Sequence, residues 1–154
     1  MLLSEPVELQ VPLIQHDGWP PVDVELVWAV LLDAGTAHYR LDTVPAFAIG
    51  LAWQDIVVAR KRGGVLTFLS VARRSGHSTL RVLLDEATDA DEMVAALAAL
   101  GAGVQRTLID ALLTIDIAPE TDAKPILAWL DAAEARGEAD WEEGWLADSH
   151  QPKH

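Results

Sequence analysis

The sequence predicts an α+β protein, with a small N-terminal antiparallel β-sheet or partial barrel followed by a ferredoxin-like βαββαβ unit. Three observations predict it. Short runs with every second residue apolar recur through the first half, separated by turns rich in Gly, Pro and Asp. From Asp89 the apolar spacing lengthens to that of a helix. From Ser78 onward the order reads strand, helix, strand, strand, helix, strand. The expected division is a strand-rich part over residues 1–77, the α/β part over 78–146 and a flexible tail over 147–154.

The elements follow in chain order. Val7, Leu9, Val11 and Leu13 alternate with Glu8 and Gln10, a first strand. Asp17-Gly18 and Pro20-Pro21 turn the chain. A longer strand over Val22 to Leu32 is expected to place Val22, Val24, Leu26 and Trp28 on one inward face, with Asp23 and Glu25 outward. Its second half, apolar on both faces, is expected to be covered on both sides. Asp33-Ala34-Gly35 leads into a short strand, His38 to Leu41. Val44 to Gly50, bounded by Pro and Gly, reads as a buried corner. Trp53 to Arg60 and Val65 to Arg73 form a hairpin around Lys61-Arg62-Gly63-Gly64.

After Leu84 the helical signals begin. Asp89 is an N-cap with Glu92 three residues on, and Met93, Leu97 and Leu100 make the buried stripe. Gly101 and Gly103 stop that helix, and strands over Val104 to Leu108 and Ala111 to Ile117 follow. Asp122 is the expected N-cap of a second helix, with Pro125 at its third position and Ile126, Leu127, Leu130 and Ala133 inward. Trp141 to Leu146 returns as the last strand.

Composition narrows the function classes. The 154 residues carry a net charge of −13 and no cysteine, which excludes disulfides, thiolate zinc sites and cysteine nucleophiles. The charge is uneven. Through Leu84 there are 8 acidic and 7 basic residues, and from Asp85 onward 16 against 4. Such a field repels phosphate backbones and anionic lipid and attracts basic partners, and it also serves plain solubility. No apolar run reaches the roughly 20 residues of a membrane span, and no secretory signal is recognised, so a cytoplasmic location is expected.

Two motifs carry a family resemblance. Tyr39-Arg40-Leu41-Asp42-Thr43-Val44-Pro45-Ala46-Phe47-Ala48-Ile49-Gly50 is followed by Asp55-Ile56-Val57, and later by Arg74-Ser75-Gly76-His77-Ser78-Thr79-Leu80-Arg81-Val82. With the closing Gly137, Trp141, Glu142 and Glu143, these resemble bacterial proteins grouped as domain of unknown function 4265, over Val7 to Leu146. In that family an aromatic-Gly-Asp precedes the Ile/Val pair. Here Trp53-Gln54-Asp55 puts Gln at the Gly position, which implies a less tightly turned backbone. The resemblance implies no established activity.

The first candidate site is polar. Arg74, His77, Thr79 and Arg81 gather donors and one titratable group on a turn and strand, and the last three share a face if the strand begins there. A carboxylate or phosphate ligand suits them, with Arg as the bidentate partner; a structural corner with local backbone bonds accounts for them as well. The second candidate is an interaction surface of Trp141, Glu142, Glu143 and Trp145, aromatic anchors beside acids. Trp28 and Trp53 read as core. Arg60, Lys61 and Arg62, with Arg73 and Arg74 across the hairpin, form a basic patch that reads more simply as a solvated tip. Asp42 and Asp55 are candidate carboxylates with capping roles as the cheaper account.

The five histidines show no ligand spacing, so no metal and no cofactor are expected, and no nucleophile elbow, Walker loop or dinucleotide fingerprint occurs. No catalytic residue is assigned. The leading expectation is a non-enzymatic, acidic interaction or regulatory protein that binds a basic protein, of inhibitor or immunity type. The alternative is a small anionic ligand-binding protein or enzyme with its site between the two halves. A homodimer is compatible with the sequence; membrane and nucleic acid are not expected partners.

Overall fold

The structure, a computed structural model, describes residues 5–151. It is an α+β protein with two sheets and two α-helices among the described residues. The chain divides into two compact units, one ending at Ser75 and the other beginning at Gly76.

The first unit is a closed barrel of β1 (Val7–Pro12), β2 (Val24–Asp33), β3 (His38–Leu41), β4 (Ile56–Arg62) and β5 (Val65–Arg73). Each strand pairs antiparallel with the next, and β1 closes on β5 in parallel at Gln10 and Thr67. The parallel seam follows from the strand number: in an up-and-down run of five, the first and last point the same way. Leu9, Val11, Val27, Ala29, Leu41, Val57 and Ala59 fill the interior, joined by Ala48 and Leu51. Gly63 and Gly64, both at positive φ, make the two-residue turn that pairs Arg62 with Val65.

Strand β2 faces the opposite way from the sequence expectation. Glu25, Val27 and Ala29 point inward, while Leu26 and Trp28 are 60% and 50% exposed. Leu32 is exposed too, so the far half of the strand is not covered on both sides. The cause is Glu25. Its carboxylate accepts the backbone N–H groups of Ala46, Phe47 and Ala48 at 2.6, 3.0 and 2.8 Å. Those donors sit in the corner after β3, which has no helix to satisfy them. Leaving three such groups unpaired costs more than exposing Leu26 and Trp28. The corner itself is buried as expected at Val44, Pro45 and Ala48, though Ile49 points to solvent.

The second unit runs β6 (Ser78–Leu84), α1 (Ala90–Ala99), β7 (Gly103–Arg106), β8 (Leu112–Ile117), α2 (Lys124–Ala135) and β9 (Ala139–Trp145). The sheet order is β7-β8-β6-β9, antiparallel at every pair. Leu80, Val82, Leu113, Ile115 and Ile117 pack with Met93, Leu97, Ile126 and Leu130 of the helices. Asp89 caps α1 as expected, accepting from Asp91 and Glu92 N–H at 2.9 and 3.2 Å. Helix α2 starts later than expected. Its N-cap is Ala123 and Pro125 falls within its first two positions, while Asp122 still accepts the Lys124 N–H at 3.0 Å. After β9 the chain makes a 3-10 turn, Asp148–His150, with His150 only 5% exposed, so that part of the tail is held.

Candidate functional site

The residues Arg73 to Arg81 span the end of the barrel and the start of β6, and each polar side chain has a defined place. In the first unit Asp55 is fully buried and collects three donors: Ala52 N–H at 3.0 Å, Ser75 N–H at 2.8 Å and Arg74 Nη1 at 3.1 Å. Arg74 Nη1 also reaches the Gly50 carbonyl at 2.5 Å, and the Ser75 hydroxyl donates to the Trp53 carbonyl at 2.7 Å. Asp55 thus ties the end of β5 to the corner before β4. Gln54, just ahead of it, has φ +67°. The tight turn expected to relax without glycine is kept, in the left-handed region that glycine favours.

In the second unit His77, Thr79 and Arg81 are all buried. Leu80, Val82 and Leu84 pack against the helices, so Thr79 and Arg81 occupy the other face of the sheet. Register places Asp116 opposite Thr79, and Thr114 and Glu142 on either side of Arg81. His77 Nδ1 lies 2.9 Å from Asp116 Oδ1 and 3.2 Å from Oδ2. An ionised carboxylate only accepts, so Nδ1 carries the hydrogen. Burial pushes the Asp116 carboxyl above its ordinary range; the charge and hydrogen bond of His77 and the charge of His150 pull it back, and Glu120 adds to the rise.

Arg81 Nε stands 3.5 Å from Glu142 Oε1, and its guanidinium lies over Gly144. A Cβ at Gly144 would sit 2.5 Å from Arg81 Nη2 and 3.2 Å from the Thr79 carbonyl, so this strand position admits only glycine without displacement. Thr79 Oγ1 is buried with no hydrogen-bond partner among the described residues.

Ser78, on the helix side of that pair, is also fully buried. Its hydroxyl accepts the Ala147 N–H at 2.8 Å and lies 2.5 Å from His150 Nδ1. His150 Nε2 is 2.9 Å from the Ala118 carbonyl, which accepts only, so Nε2 carries a hydrogen, and a second hydrogen bond joins Nδ1 to the serine hydroxyl. Serine beside histidine has the composition of a nucleophile and its base. Here the hydroxyl has no access to substrate, and the pair fastens the tail to β6.

Sequence reading missed Asp116, Gly144 and His150. Asp116 was visible only as one polar residue in an apolar strand, and Gly144 as a glycine between two tryptophans.

The proposed interaction residues divide. Trp141 packs against the helical core and donates its indole N–H to Asp131 at 3.2 Å, and Trp145 is half-buried. Glu142 and Glu143 are exposed. Of the tryptophans read as core, Trp28 is half exposed and Trp53 half-buried. Arg60, Lys61 and Arg62 are exposed at the tip of the hairpin, the simpler of the two readings, and Arg73, which pairs with Ile56, lies at its opposite end. Asp42 is exposed beside Trp28.

A groove of about 510 Å³ opens between the two helices of the second unit. Asp85, Asp89, Glu92 and Glu138 line it with Met93 and Trp129, and its one arginine, Arg136, is held by Glu138 at 2.9 and 3.0 Å. Among the described residues no cluster of His, Asp and Glu could hold a metal, and no helix is long and apolar enough to cross a membrane.

The motifs around the corner and β6 lie within a longer match. The pattern of a domain of unknown function, DUF4265, covers residues 25–141. This chain belongs to that family. In this chain the matched residues run from the start of β2 to the first part of β9. No curated protein matches the chain. A crystal structure of a hypothetical protein from Neisseria gonorrhoeae is similar over 92% of this chain and 96% of that one, with a TM-score of 0.76 and 17% identity. At that identity the likeness is one of fold.

Proposed function

We propose that this DUF4265 protein is a non-enzymatic, cytoplasmic interaction protein whose acidic second unit binds a basic protein, in the manner of an inhibitor or immunity protein. The second unit is read as ferredoxin-like, since a βαββαβ chain in the order β7-β8-β6-β9 is the split βαβ arrangement. The observation that carries the functional reading is the placement of its carboxylates. They ring a groove floored by Met93 and Trp129, where the sole arginine is already engaged by Glu138. A guanidinium or ammonium entering such a groove gains carboxylate partners and an indole face. The anionic-ligand reading has less support, because Asp55, Asp116 and Glu142 already face Arg74, His77 and Arg81.

Affinity capture from native lysate tests the reading. A basic protein should be retained at about 50 mM salt and released at about 500 mM, as screening shortens the reach of the charges. A Glu92→Gln, Asp140→Asn, Glu143→Gln variant should retain less of it. Recovery of no salt-sensitive partner would sink the proposal.

A further inference from the structure

We propose that β9 is a docking edge for a basic, extended segment of the partner, which joins the sheet as a fifth strand. The inference rests on the acidic-partner reading above and specifies where and how that partner is held. In the order β7-β8-β6-β9, strand β9 pairs with β6 on one side, and no other strand pairs with it among the described residues. Its seven residues make it the longer of the two sheet edges, against four in β7. An edge offers unpaired N–H and C=O groups, and adding a strand satisfies them.

The side chains decide which strand. Asp140, Glu142 and Glu143 are exposed, and β9 has no basic residue. A second copy pairing here would set acids against acids, and like charges across strands destabilise the pairing. A strand carrying Lys or Arg reverses the sign. Charges on an edge also guard against aggregation, but that role needs no particular sign, whereas docking needs a cationic strand.

Two further features bound the site. The register moves from Leu80 opposite Glu143 to Thr79 opposite Trp145, so Gly144 is an extra, bulged residue that ends the regular edge. Regular pairing is therefore confined to Ala139 through Glu143, roughly 17 Å of strand. Beyond the other end lies Glu138, which lines the acidic groove. A cationic strand overrunning Ala139 would deliver its next basic side chain there.

The test uses three eight-residue peptides titrated calorimetrically at about 50 mM salt: alternating Lys-Val, alternating Glu-Val, and Lys-Val with alternate backbone nitrogens methylated. Lys-Val should bind, Glu-Val should not, and methylation should weaken binding about tenfold or more, because it keeps the charge and removes the ladder donors. Asp140→Lys with Glu143→Lys, both exposed positions, should weaken Lys-Val to a similar degree with far-ultraviolet circular dichroism unchanged. Equal binding of plain and methylated peptides overturns the docking edge and leaves the acidic-partner reading standing. So does failure of Lys-Val to bind a chain that still captures a basic protein from lysate. A wild-type dimer in sedimentation that the double lysine variant abolishes would give the edge to a second copy and also overturn the proposal.

Discussion

The two units bury polar side chains by different means. In the barrel, Glu25 and Asp55 are acceptors for the main chain: among the described residues they take five backbone N–H groups together, and Arg74 adds a side-chain donor. In the second unit buried polar side chains also pair with one another, His77 with Asp116 and Ser78 with His150, beside the backbone bonds of Ser78 and His150. The difference follows from architecture. A closed barrel joined by an irregular corner has orphan N–H groups that only a carboxylate of the right reach can satisfy. A sheet backed by helices has its main chain satisfied already, so its polar side chains tie strand to strand and tail to strand.

The largest expected break in that comparison is Asp55→Ala. It removes the acceptor of the buried Ala52 N–H and the half-buried Ser75 N–H and one of the acceptors of Arg74, and the loss in urea-unfolding free energy should be about 3 kcal/mol. A loss below about 1 kcal/mol would mean that water replaces the carboxylate and that the barrel does not depend on it.

The second unit should respond to pH instead. Asp116 has a folded pKa raised above 3.8, chiefly by burial. The folded state holds that proton more tightly than the unfolded chain. Its contribution to stability is therefore complete below the unfolded value and is lost as pH rises through the folded one. The stability of the wild type relative to Asp116→Asn should fall as pH rises above about 4. In a His77→Gln background, where the imidazole no longer pulls the carboxyl down, the fall should be steeper. A flat difference across that window would show the carboxyl to be ordinary.

The smallest expected effect is a gain. Gln54 holds a left-handed φ, which costs an L-residue about 1 kcal/mol or more, partly offset by the greater unfolded-state freedom of glycine. Gln54→Gly should stabilise the barrel by about 0.5 kcal/mol, read from the urea midpoint at constant slope.

Much of this was legible locally. The alternation of Leu9 and Val11 against Glu8 and Gln10, the Gly63-Gly64 turn and the Asp89 cap are all decided within a few residues, and the structure agrees with each. Strand β2 was not, because both of its faces carry apolar residues and periodicity alone cannot choose between them. What chose was a need twenty-one to twenty-three residues away, the N–H groups of Ala46 to Ala48. The polar site was opaque for the same reason. His77 and Asp116 are 39 residues apart, and Ser78 and His150 are 72 apart, so each residue was visible in sequence and its partner was not.

The parallel seam at Gln10 and Thr67 has a mechanical consequence. With an odd number of strands, the chain enters the barrel at one rim and leaves it at the other. Tension between Val7 and Arg73 would therefore slide β1 along β5, loading the seam in shear instead of peeling it open. Strung along a polypeptide under pull, this barrel resists as a sheared lap joint, not as a zipper.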